Sequence, residues 1–176
     1  MSADTLSFPI GKYVEQPYSE GQQRLWINDI RMLPGDMEQV ILNLDEAQLN
    51  TPYREGGWTL RQVVHHVADS HMNAFIRFKL GLTEERPQIK PYQQDAWAKL
   101  PDVERVPVNI SLTLLHTLHT RWAELLLSMS DQDWDRTVIH PEYQKEMNLW
   151  YLLGLYAWHG RHHVAHIRSL RNRMGW

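Results

Sequence analysis

The sequence predicts an all-α fold, a four-helix bundle with long inter-helix connections, and three observations predict it. Four stretches of roughly 17–27 residues carry apolar side chains at helical spacing, as bundle helices do. No stretch alternates for long enough to make a convincing long strand. Two of the four stretches open on a capping-box pattern, Ser19 with Gln22 and Thr59 with Gln62.

Residues 1–18 contain Pro9, Gly11 and Pro17 and read as an irregular N-terminal arm. A first helix follows Ser19 over 20–44. Pro34-Gly35 predicts a kink in it, or a break into two pieces, because proline removes an amide donor and crowds the preceding turn. Residues 50–57 form a loop by their Pro and Gly-Gly content. The second helix spans 60–80, with Leu60, Val64, Val67, His71, Phe75 and Phe78 on one face. Residues 81–108 hold Pro87, Pro91, Pro101 and Pro107, which predicts a long connection with a short helix near 93–100. A third helix begins near Asn109 or Ser111 and reaches Met129, with Leu112, Leu115, His119, Trp122 and Leu126 sharing a face. Residues 137–147, with His140-Pro141, form a loop or a short hairpin. The fourth helix covers 148–174 and stops at Gly175. Its apolar face carries Leu149, Leu152, Tyr156, His159, His163, Ile167 and Leu170. No repeat or long linker divides the chain, so residues 1–176 read as a single domain.

Composition narrows the function. With 43% hydrophobic and 22% charged residues in a chain of 176, the protein falls in the soluble globular class. A net charge of -3 argues against nucleic acid as the main partner, since phosphate binding needs a basic surface. The absence of cysteine excludes disulfides, thiolate ligands and a cysteine nucleophile, and a cytoplasmic setting is expected. The first ten residues lack a basic segment followed by an apolar one, so no signal peptide is expected. The longest apolar stretch, 149–158, falls far short of the roughly 20 residues of a membrane helix, so no membrane partner is expected. Ten histidines and eight tryptophans stand out, and the histidines cluster.

His159 and His163 are four apart and lie one above the other on the apolar face of the fourth helix. Two neutral imidazoles facing a core must each satisfy two ring nitrogens. A shared metal ion satisfies one on each ring. Gly160 stands where a His-Glu-x-x-His protease would carry its glutamate, so that reading fails. His166 lies about 20° around the helical wheel from His159 and is an alternative ligand or a supporting partner. His162 falls nearer the polar flank and reads as solvated. On the second helix, His65 points away from the apolar stripe and reads as a surface or loop-contacting residue. His71 sits at the stripe's centre and His66 on its flank, beside Ser70, Asn73 and Arg77. The pattern leaves the third ligand open between His66 and His71, with His119 behind them. His116 and His140 read as ordinary.

The segments Tyr53-Arg-Glu-Gly-Gly-Trp-Thr-Leu-Arg-Gln-Val-Val-His-His-Val-Ala-Asp-Ser-His-Met-Asn73 and Gly154-Leu-Tyr-Ala-Trp-His-Gly-Arg-His-His-Val-Ala-His-Ile167 closely resemble the YfiT-like metal-dependent hydrolases of the DinB-like superfamily. The resemblance extends to Phe8-Pro-Ile-Gly-Lys-Tyr13, to Ile76-Arg-Phe-Lys-Leu-Gly-Leu-Thr-Glu-Glu85 and to the terminal Arg-Met-Gly-Trp176. It implies a four-helix bundle holding one divalent ion per chain, zinc or nickel, through His66, His159 and His163. It also implies a homodimer. Departure from relatives is expected at Gly160-Arg161.

Three neutral histidines with an open position make a catalytic metal site rather than a structural one. Activated water attacking a carbonyl or similar electrophile of a small-molecule substrate is the first reading. Asp69, about one turn beyond His66, is a candidate base or supporting residue. A second reading has a low-molecular-weight, bacillithiol-type thiol bind the metal and attack a substrate carbon, because zinc favours thiolates and the chain has none of its own. Some DinB-like relatives are thiol-dependent transferases. Arg54, Arg77 or Arg161 could then hold an anionic thiol. A third reading is a non-catalytic, metal-binding stress protein.

Overall fold

The computed structural model describes residues 6–142 and 144–176. Residues 1–5 of the expected arm, and Tyr143, lie outside the described residues. The four bundle helices are α1 (Glu20–Ile41), α2 (Leu60–Thr83), α3 (Val108–Leu127) and α4 (Leu149–Met174). Each start has a local cause or a tolerated substitute. Ser19 Oγ accepts from the amide of Gln22 at the head of α1. Thr59 and Gln62 exchange the two hydrogen bonds of a capping box at the head of α2. The side chain of Asn148 accepts from the amide of Tyr151 at the head of α4. Pro107 precedes α3, whose first turn has no side-chain cap. Gly175 ends α4 in the left-handed region, at φ 71°.

α1 runs through Pro34 as one helix, and the expected break is absent. The expected extension of this helix to Leu44 also fails. Leu42 leaves helical geometry, and the chain re-enters a short helix at Glu46–Leu49 behind a capping box of Asp45 and Gln48.

α1 packs against α3 and α4, and α2 packs against the same two helices. Around the bundle the order is therefore α1, α3, α2, α4, and chain neighbours α1 and α2 stand diagonally opposed. This arrangement places α2 beside α4. The expected loop or hairpin after α3 is a short antiparallel hairpin, β1 (Thr137–His140) with β2 (Lys145–Asn148), pairing Val138 with Met147. The long 84–107 connection carries two short helices, Gln94–Trp97 and Pro101–Arg105. It is tied to β1 where the amide of Ile139 donates to Pro87 O and that of Ile89 to Ile139 O.

The apolar interior falls into two clusters. One gathers Trp26, Phe78, Trp122, Trp134, Trp150 and Leu153. The other gathers Leu33, Val64, Val67, Leu115, Val164 and Ile167. On α2, α3 and α4 a histidine lies between the residues given to one cluster and those given to the other. His71 precedes Ala74 and Phe78, His119 lies between Leu115 and Trp122, and His159 and His163 lie between Ala157 and Val164. A histidine layer thus interrupts the core, where an unpaired ring nitrogen is costly.

Candidate metal centre

α2 and α4 meet at three histidines. His66 Nε2 lies 3.2 Å from His159 Nε2, and His163 Nε2 lies 3.1 Å from the same atom. One ligating atom of each ring falls within 4.8 Å of the other two. Nitrogens held about 2.0–2.1 Å from a single zinc ion lie about 3.0–3.4 Å from one another, so the spacing fits a shared ion. Burial supplies the second requirement. It alone pushes the His66 ring down to about 4, and together with neighbouring histidines it pushes His159 and His163 well below their ordinary range. All three rings are therefore neutral at physiological pH and able to offer lone pairs. The residues present fit a divalent transition metal.

His71, at the centre of the apolar stripe, is fully buried. Its Nε2 faces His159 Nδ1 at 3.2 Å, which is the ring edge turned away from the cluster. His119 lies further inward, with its Nε2 3.1 Å from His71 Nδ1. His166 Nε2 meets the Ser7 carbonyl at 3.2 Å, and its ring stacks on Tyr53. His162 is a correction: it is not solvated but 7% exposed, stacked on Trp158 and close to Phe8. The arm is the cause, because it folds over α4, with Trp158 Nε1 donating to Gly11 O and Trp150 Nε1 to Gln16 O. His65 is not on the surface, but it does meet the connection before α3, at the main chain of Val106. It is buried, with its Nδ1 2.8 Å from Ser111 Oγ on α3.

The histidine cluster lines a cavity of about 500 Å³, walled by Phe8, Tyr53, Trp58 and Trp158, with Arg54 among its lining residues. A second cavity of about 620 Å³ reaches the other side of His159 and is lined by Arg77, Tyr92, His140, Leu152 and Tyr156. Gln94, Asp95 and His159 border both. Asp69 lines neither. It is half-buried, and burial, helped by the charge of Asp102, pushes its carboxyl up to about 6. Arg161 pairs with Asp29 of α1 at 2.9 Å, away from both cavities. Gln94 and Asp95 escaped the sequence reading. They sit in a proline-rich connection without helical periodicity, and only the fold brings that connection across the site.

Fold and site together define a helical bundle with a three-histidine cluster open to a cavity. The chain belongs to the DinB superfamily, whose profile matches residues 29–167. It is 53% identical over 172 residues to a protein of Bacillus cereus strain B4264 provisionally named a metal-dependent hydrolase, covering 97% of this chain and 98% of that one. A protein of Bacillus anthracis strain CDC 684 with the same provisional name is 52% identical over the same shares. Among solved structures, YfiT from Bacillus subtilis superposes with a TM-score of 0.95 at 48% identity, over 98% of this chain and 99% of that one. It is described as a probable metal-dependent hydrolase with an unusual four-helix bundle topology. The diagonal placement of α1 and α2 belongs to that shared topology. No helix among the described residues is long and apolar enough to cross a membrane.

Proposed function

We propose that the protein is a metal-dependent hydrolase in which His66, His159 and His163 hold one divalent ion, zinc or nickel, and water is added to a carbonyl-type small molecule. The observation that carries the reading is the convergence of three neutral Nε2 atoms at the wall of an open cavity. The names of the relatives support it. When bound, such an ion supplies Lewis acidity to substrate and water.

The protein's own groups do the rest. Three neutral ligands add no charge that would blunt the ion's acidity. Tyr53, Trp58 and Trp158 give the cavity apolar walls that displace water and take the apolar part of a substrate. Two carboxylates stand as candidates to take the proton from the attacking water, Asp69 and Asp95. Asp95 lines both cavities. Asp69 has a carboxyl shifted towards the range in which a general base works.

The test loads the purified chain with zinc or nickel and assays ester and amide panels, then electrophiles with and without a bacillithiol-type thiol. Thiol-independent water addition is the expected result. Turnover only with thiol assigns a transferase instead, and stoichiometric metal without any turnover assigns a binding protein.

A further inference from the structure

The hydrogen-bonded groups continue from the cluster across the whole bundle. His159 Nδ1 lies 3.2 Å from His71 Nε2, and His71 Nδ1 lies 3.1 Å from His119 Nε2. His119 Nδ1 in turn meets the main-chain carbonyl of Ile30. These groups come from α4, α2, α3 and α1, one from each helix, in the order the helices take around the bundle.

The Ile30 carbonyl is available because of Pro34. Within an α-helix the carbonyl of residue 30 accepts from the amide of residue 34. Pro34 lies buried inside α1 and has no amide hydrogen. The carbonyl is left without its helical donor, and a buried carbonyl needs one. His119 supplies it.

The direction of every later bond follows. A carbonyl only accepts, so His119 Nδ1 carries the hydrogen. A neutral imidazole carries one, so His119 Nε2 accepts and His71 Nδ1 must donate. His71 Nε2 then accepts, and His159 Nδ1 must donate. His159 Nε2 is left as a bare lone pair, and that is the atom facing His66 Nε2 and His163 Nε2. By contrast, His163 Nδ1 is buried without a protein hydrogen-bond partner.

We infer that Pro34, His119 and His71 form a tautomer relay that locks His159 in its Nδ1–H form and presents its Nε2 to the metal. His71 and His119 are positioning residues. The purpose of the relay rests on the metal-site reading, but the tautomers belong to the metal-free chain and are measurable there. The relay also explains the place of a proline in the middle of α1: it leaves one carbonyl to the histidine layer.

Side-chain ¹⁵N NMR of the metal-free, full-length protein near neutral pH tests the relay without any substitution. His119, His71 and His159 are each expected to show a protonated Nδ1 and a bare Nε2. A protonated Nε2 on any of the three overturns the relay. Two variants add a second readout. His119→Leu removes the acceptor for His71 Nδ1–H, whereas His119→Gln retains a carbonyl acceptor and an amide donor. Cobalt titration is expected to show affinity about 10–100-fold weaker for His119→Leu, with a protonated Nε2 signal emerging on His159, and near wild-type affinity for His119→Gln. A folded His119→Leu chain that binds cobalt as tightly as the wild type overturns the relay. If the wild type itself takes up no cobalt, the metal-site reading fails, and the NMR tautomers still decide the relay.

Discussion

His66 Nε2 and His159 Nε2 stand 3.2 Å apart although 93 residues separate them in the chain. Only the bundle order makes this possible. α2 and α4 are neighbours because α1 and α2 are not, and the two ligand-bearing helices share a seam.

Gly160 is a close-packing residue between His159 and His163. A Cβ built on it would lie 2.7 Å from Leu33 Cδ2 and 2.9 Å from Leu33 Cδ1. Gly160→Glu, which would restore the protease pattern, is expected to cost more than about 3 kcal/mol, because it overpacks the α1–α4 contact and buries a charge there. Chemical denaturation checks it. A variant as stable as the wild type would show that α1 and α4 can separate at this point.

Acid weakens the fold through its buried histidines. The His119 ring is pushed down to about 4, chiefly by burial, with the Ile30 carbonyl opposing and His116 assisting. Unfolded, it takes up a proton near pH 6.5. Unfolding therefore binds a proton between these values. Its contribution is fully present above about pH 6.5 and is lost as pH falls towards 4, at up to about 1.4 kcal/mol per pH unit. Urea midpoints measured across this window are expected to fall with pH, and less steeply in His119→Gln. Equal slopes would remove His119 as a source of the effect.

Asp95 and Asp69 are separable as bases. Asp95 borders both cavities, so Asp95→Asn is expected to lower turnover about 100-fold on any substrate that the panels identify, with metal content unchanged. Steady-state kinetics on metal-loaded protein decides it. A loss of that size in Asp69→Asn, with Asp95→Asn unaffected, assigns the role to Asp69.

Helical periodicity and capping were legible because they are local. Ser19, Thr59 and Gly175 mark helix ends where the structure has them. The His159–His163 pair was legible because one helix turn fixes its geometry. His66 was not, because periodicity measures burial, and both His66 and His71 are buried. What separates them is which ring edge meets α4, a property of two helices rather than one. The break that Pro34 offered is absent for a related reason. The lost donor is real, but a histidine on another helix replaces it. His162 misled because its cover comes from the arm, far away in the chain.

The most direct test of the three-histidine centre is the metal content of purified wild-type, His66→Ala and His71→Ala proteins, measured side by side by elemental analysis after equilibration with limiting zinc. The wild type is expected to hold one ion per chain, His66→Ala to lose it, and His71→Ala to retain it with weakened affinity. Retention by His66→Ala together with loss in His71→Ala would contradict the ligand set.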